Sequence, residues 1–421
     1  MSTANDRAVT LNGVTYQWPR RPVVVVCIDG GDPAYFDQAQ RDGIIPNVER
    51  FMEHGFGAVA DGIVPSLTNP NNLSIVTGSP PAVHGISGNY FLDPDTGAEV
   101  MMNDPGFVRS ESLLAEFSQR KARVVAITAK DKLRRQLGRN IDLAGGSMNF
   151  SSEKADECTR EANGIDNVLD FVGLPLPAVY SAELSLFVLE AGIRLLEQYR
   201  PELMYLSLTD YIQHKYAPGT PEINDFYAQL DDAFGRLAAL GAVVGITADH
   251  GMNDKSKPDG SPNVIYLQDE LDREFGPRRT RVILPITDPY VVHHGSLGGF
   301  ARIYCYDGIA PEAVIQFAQE LPGIEAVYDR VAVCAAFDLP PDREGDVAVS
   351  SAADTAIGAS EATHDLSTLQ GFRLRSHGGI SERRVPFILS APLNEAYAAR
   401  AASGTPQSYE IYDYAINGVA V

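Results

Sequence analysis

The run VVVVCIDGGD, residues 23–32, decides how the rest of the chain is read. Six apolar residues in a row, four of them valine, are too few for a helix and too uniform for a strand with one wet face. They predict a strand buried on both faces, the kind found in parallel sheets. The run stops at Asp29, and Gly30 and Gly31 follow. The same grammar recurs twice. LMYLSLTDYIQHKY (203–216) stops at Asp210 with His214 four residues on, and VVGITADHGM (243–252) stops at Asp249 with His250 next. Open α/β sheets bind ligands beyond the carboxyl ends of their strands. One Asp there commonly starts a turn. Three, two of them accompanied by a histidine, are hard to assign to turns, and together with His377 they predict a two-metal hydrolytic centre.

Outward from these runs, strand-like and helix-like segments alternate. NVERFMEHG (47–55), NNLSIVTG (71–78), SESLLAEFSQRKA (110–122), SLFVLEAGIRLLEQYR (185–200) and INDFYAQLDDAFGRLAAL (223–240) read as helices between FGAVADGIVP (56–65), VVAIT (124–128) and the three strands above. The expected fold is α/β, a mostly parallel central sheet flanked by helices. After residue 255 the chain becomes rich in Pro, Gly and Asp, and ARIYCYD, PEAVIQFAQEL and GIEAVYDR (301–330) suggest a compact β-α-β piece. Residues 256–370 therefore read as a smaller α+β cap inserted into a core of 1–255 and 371–421. The tail after about residue 393 reads as a terminal helix and strand.

Bulk properties narrow the classes. The 421 residues exceed what one core usually supports, which fits a large domain with an insertion. A formal charge of −21 argues against nucleic-acid binding, which needs a basic footprint. No run approaches a membrane span, and the first residues lack the apolar core of a secretory signal, so a cytoplasmic protein with no membrane partner is expected. Cys27, Cys158, Cys305 and Cys334 show no CxxC spacing and read as reduced structural residues.

Carboxylate and imidazole donors together suit Zn²⁺, with Mn²⁺ and Fe²⁺ as substitutes. For Asp210 and His214 to converge, Thr209–Tyr216 must fold into a turn. Thr68, in PSLTNPN (65–71), follows a strand and precedes a helix, which is the N-cap position. It is either a simple cap or a nucleophile whose hydroxyl is acidified by the helix end and a nearby cation. Lys130 and Lys132, in AKDKL (129–133), follow another strand at the same sheet edge, on one side of an extended turn. They are either solvated surface cations or substrate ligands. His54, His84, His293, His294 and His364 read as packing or surface residues.

The set IDGGDP, PSLTNPN, HGISGNYFLDP, DYIQH, TADHGM and SHGG, in this order over residues 28–379, resembles the alkaline phosphatase superfamily. The branch is that of nucleotide pyrophosphatases/phosphodiesterases and phosphonoacetate hydrolases. The resemblance implies one zinc held by Asp210, His214 and His377, and another held by Asp29, Thr68, Asp249 and His250. It makes Thr68 the nucleophile and Asn89 an amide donor to a phosphoryl oxygen, with His214 also facing the substrate. In the phosphonoacetate hydrolases, lysines in a segment like AKDKL bind the substrate carboxylate, which assigns that role to Lys130 and Lys132.

Two Zn²⁺ against three Asp and one Thr alkoxide sum to about zero, so a multiply charged anion needs further cations, and these lysines supply them. The expected reaction is cleavage of the carbon–phosphorus bond of phosphonoacetate to phosphate and acetate through a phosphothreonine. The alternative is a nucleotide or alkyl phosphodiesterase using the same two metals. A sulfatase is disfavoured because Thr68 cannot be oxidised to formylglycine. The expected partner is a small anionic molecule, and a homodimer is left open.

Overall fold

A computed structural model describes residues 7–288, 295–369 and 371–420; His293 and His294 lie outside the described residues. The central sheet has seven strands, in the order Phe56–Asp61, Arg384–Leu389, Val243–Thr247, Val23–Cys27, Leu203–Ser207, Val124–Thr128 and Met148–Ser151. Arg384–Leu389 runs antiparallel to both its neighbours, and the five strands from Val243–Thr247 to Met148–Ser151 are parallel.

Val23–Cys27 is central and wholly buried, as its uninterrupted apolar run requires. Because side chains alternate along a strand, Val24 and Val26 enter one core and Val23, Val25 and Cys27 the other. The first core is closed by the helices Pro33–Arg41, Pro46–His54, Glu183–Tyr199 and Pro221–Ala239. The second is closed by Thr68–Thr77, Leu113–Gln119 and the end of the chain.

That end is only partly as expected. The helix Glu395–Ser403 forms, but among the described residues no strand follows it. Residues Tyr414–Gly418 form a π-helical turn instead. Ile411, Tyr412, Tyr414 and Ala415 are buried against the sheet, and the Tyr412 hydroxyl donates to Met204 O (2.8 Å). A strand there would have left this face of the sheet in water, so burial of apolar area overrode local propensity.

A second, four-stranded antiparallel sheet has the order Thr280–Ile283, Phe300–Cys305, Val347–Ser351, Ile324–Asp329. This sheet and the segments packed on it make up a second lobe, whose core includes Leu267, Val282, Ile303, Val314 and Val349. Phe300–Cys305, the helix Pro311–Gln319 and Ile324–Asp329 make a split β-α-β unit, since Val347–Ser351 lies between the two parallel strands.

Candidate metal centre

Register places the carboxylates. Cys27 pairs with Thr247 on one side and Ser207 on the other, so three neighbouring parallel strands end at one level. Strands lie about 4.8 Å apart, so residues two or three beyond those ends converge. These residues are Asp29, Asp249 and Asp210, all buried. Thr128 pairs with Ser207 on the next strand, which brings Lys130 to the same edge.

After Asp210 the chain makes one helical turn, Tyr211–Lys215, with His214 N donating to Asp210 O (3.0 Å). The turn sets His214 Nε2 2.7 Å from Asp210 Oδ2. His377 Nε2 is 3.7 Å from the same oxygen, and His250 Nε2 is 3.2 Å from Asp29 Oδ1. Ligand atoms lie within 4.8 Å of one another in two groups that share Asp210: Asp210, His214, His377 and Asp29, Asp210, His250. Asp249 stands slightly behind. Its Oδ1 accepts from the Gly30 and His250 amides and its Oδ2 from Asn72 Nδ2 (3.2 Å), with His250 Nε2 3.8 Å away.

The histidines are oriented alike. His214 Nδ1 donates to Arg375 O (2.6 Å), His250 Nδ1 to Gly251 O (2.9 Å) and His377 Nδ1 to Ser66 O (2.8 Å). A carbonyl can only accept, so each Nδ1 carries a proton and each Nε2 is the ring nitrogen turned towards the carboxylates, the orientation that metal-binding histidines require.

The electrostatics fit a cation. Burial, then the charges of Asp210 and Asp249, hold the Asp29 carboxyl well above the usual range. Burial also raises Asp249, where His250 opposes the shift and Asp210 adds to it. Burial alone would lower His250, but Asp249, Asp29 and Asp210 carry it up to about 10. His377 is pushed far down by burial, then by its two histidine neighbours. Three buried carboxylates beside three imidazoles of fixed tautomer thus oppose one another's charge, and a divalent ion among them would remove that opposition.

Thr68 is not the N-cap. Leu67 occupies that position in extended conformation, and Thr68 is the first helical residue. The Asn69 amide, which a capping residue would help satisfy, donates instead to Asn89 Oδ1 (3.3 Å). Thr68, Asn89, Lys130 and Lys132 line one cavity of about 390 Å³ with Asp29, Asp210 and His377.

The lysines sit on a helix rather than an extended turn, because the chain enters Asp131–Leu137 directly after the strand, with Lys130 as its N-cap. Lys130 Nζ donates to Val179 O (3.2 Å) and lies 4.9 Å over the Tyr180 ring, and burial lowers its pKa. Lys132 pairs with Asp288 of the second lobe, a partner that no sequence spacing foretells.

Other residues that matter here were also silent in the sequence. Arg375 donates to Gln213 O (2.9 Å), the Tyr35 hydroxyl and Met252 O, tying together the loops that carry His214 and His250. Buried Lys255 and Glu382 (2.8 Å) tie the His250 loop to the His377 loop, where Glu382 also accepts from Gly379 N and Asn253 Nδ2. His84 is a packing residue, as expected. Its Nδ1 accepts from Ile86 N, so Nε2 donates to Ser74 Oγ (2.8 Å).

The sequence model of the family described as type I phosphodiesterase / nucleotide pyrophosphatase matches residues 23–371. A phosphonoacetate hydrolase from Sinorhizobium meliloti 1021, solved with phosphonoacetate and with phosphonoformate, is 49% identical. It superposes with a TM-score of 0.93, covering 98% of this chain and 99% of that one. Murine ectonucleotide pyrophosphatase / phosphodiesterase 5 is 18% identical with a TM-score of 0.62, covering 95% and 96%, and shares the fold. An uncharacterized pyrophosphatase/phosphodiesterase of Schizosaccharomyces pombe is 23% identical over 250 residues, a match spanning 59% of this chain and 44% of that protein.

Proposed function

The chain belongs to the type I phosphodiesterase / nucleotide pyrophosphatase family of hydrolases, and from that membership we propose that it cleaves phosphonoacetate to phosphate and acetate. The observation that carries this reading is the composition of one cavity. A threonine at a helix start, a cluster of metal-ligand side chains and several cations, Lys130 and Lys132 among them, line the same 390 Å³. A carboxylate two bonds from phosphorus calls for cations at that distance from the nucleophile, whereas a nucleotide diester does not.

Asp210, His214 and His377 would hold one zinc, and Asp29, Asp249, His250 and the Thr68 hydroxyl the other. When bound, the two ions supply Lewis-acid stabilisation of charge on the nucleophile, the phosphoryl group and the leaving group. Thr68 Oγ, its proton released to solvent, attacks phosphorus; the O–P bond forms as the P–C bond breaks, and the electron pair passes to the carboxymethyl carbon. That carbanion is a poor leaving group, so stabilisation of its enediolate is the main electrostatic task. Lys130 and Lys132, which line the cavity, would perform it at the carboxylate. A proton from solvent converts the carbanion to acetate, and water then cleaves the phosphothreonine to phosphate, returning the Thr68 hydroxyl. Asn89 Oδ1 accepts from the Asn69 amide, so its Nδ2 would be the atom that donates to a phosphoryl oxygen.

The test is phosphate release over a panel of phosphonates and phosphodiesters, with metal content measured on the same sample. Phosphonoacetate turnover with about two zinc ions per chain is expected. Strong turnover of bis-p-nitrophenyl phosphate without phosphate release from phosphonoacetate would overturn the reading.

A further inference from the structure

The segment leading to Asn89 is held from outside its own lobe. Arg302, on Phe300–Cys305 of the second sheet, is fully buried. Its Nε and Nη2 each donate to one oxygen of the equally buried Glu344, both at 2.6 Å. Nη2 also donates to Ser87 O at 2.7 Å, two residues before Asn89. A guanidinium is planar, so two-pronged pairing with Glu344 fixes the direction of its remaining N–H groups.

The backbone passes close by. A Cβ on Gly88 would come within 2.8 Å of Pro285 Cβ and 3.3 Å of Arg302 Nη1. Among the described residues, Nη1 itself has no hydrogen-bond partner. Asn89 N then donates to Pro285 O (2.8 Å), also in the second lobe. A second buried arginine of that lobe, Arg343, donates to the carbonyls of Gly85 and Phe107.

A buried ion pair is weak evidence for stability, because apolar residues of similar size serve as well. This one spends a donor on the other lobe, at the loop that carries the proposed phosphoryl ligand. We infer that Arg302 is a positioning residue: with Glu344 as its anchor, it fixes Ser87–Asn89 and through them the Asn89 amide at the phosphoryl group. The inference rests on the role given to Asn89 above. It assigns the second lobe a part in catalysis that does not require contact with substrate.

A double-mutant cycle tests it. Arg302→Lys keeps a charge opposite Glu344 but loses the fork and its third contact. Arg302→Met/Glu344→Leu removes both charges, in case the lysine variant does not fold. Each is made in the unmodified enzyme and in Asn89→Ala, with folding checked by circular dichroism, and kcat and KM are measured on phosphonoacetate and on bis-p-nitrophenyl phosphate.

A fall in kcat of about tenfold, with KM little changed, is expected in the unmodified background, shrinking to less than about twofold in Asn89→Ala. Equal losses in both backgrounds, no loss in the first, or an Asn89→Ala enzyme of full activity would each overturn the inference. Turnover of the diester without turnover of phosphonoacetate would instead sink the substrate reading, and the cycle would still be read on the diester.

Discussion

The imidazole rings of His250 and His377 lie face to face, with centroids 3.5 Å apart and planes 6° from parallel. One ring follows a strand of the central sheet and the other comes from a segment returning after the second lobe. Each is anchored by Nδ1 to a carbonyl, Gly251 O and Ser66 O respectively. Stacking two imidazoles is tolerable only if they are not both cationic, and the opposite shifts at His250 and His377 describe that conflict. Binding a metal at each Nε2 would let both rings stay neutral.

Metal removal should therefore cost stability as well as activity. Chelation is expected to abolish phosphate release and lower the thermal midpoint, and zinc should restore both. Ligand at a hundred times its Kd stabilises by about 2.7 kcal/mol. An unchanged midpoint after verified removal of metal would count against a bound ion at the Asp29, Asp210 and Asp249 cluster.

Thr68→Ala should lower turnover about a thousandfold or more while the Asp and His ligands still hold metal. Phosphate release and metal analysis on one sample check this. Near-normal turnover would exclude Thr68 as the nucleophile.

Lys130→Ala and Lys132→Ala should reduce kcat/KM for phosphonoacetate about ten- to a hundredfold, and far less for a phosphate ester without a carboxylate. Equal losses on the two substrates would remove the lysines from the carboxylate role and leave them as structural partners of Val179 O and Asp288.

Lys255→Met leaves Glu382 buried and uncompensated, and breaking such a pair costs about 3–5 kcal/mol. The urea midpoint should fall accordingly, and zinc affinity should weaken with it, because Glu382 O and its carboxylate hold Gly251 N and Gly379 N beside the two stacked histidines. A loss of stability without a change in zinc affinity would restrict the pair to packing.

Acid should act partly through His84. Burial, then the charge of Arg343, lowers its pKa to about 3. The unfolded chain holds the extra proton between that value and about 6.5, so stability rises with pH across this window. The contribution of neutral His84 is complete above about pH 6.5 and is lost as pH falls towards 3. The stability gap between the unmodified protein and His84→Asn should shrink by about 2 kcal/mol from pH 7 to pH 5. Parallel pH curves in chemical denaturation would contradict this.

Much of the fold and the candidate site was legible in local sequence, for a physical reason. A strand buried on both faces must be apolar throughout, so VVVVC, LMYLS and VVGIT announce both their conformation and where it ends, and the residue types just beyond them announce chemistry. Asp29, Asp210, Asp249, His214 and His250 stand out in this way, and the shared register brings the three carboxylates to one sheet edge.

Other features depend on partners distant in the chain, and no local pattern encodes them. Thr68 has the look of a helix cap in PSLTNPN, and only the approach of Asn89 relieves it of that duty. The tail resembles a helix and strand until the uncovered face of the sheet demands Ile411 and Tyr412. Asp288 beside Lys132, and Arg302 beside Ser87, meet because the second lobe packs against the mouth of the first. Sequence alone determined the sheet, its strand ends and the donor types gathered there, because these follow from period and burial. Tertiary structure decided which side chains are oriented, paired and freed for chemistry, because those contacts form only when segments far apart in the chain exclude water together.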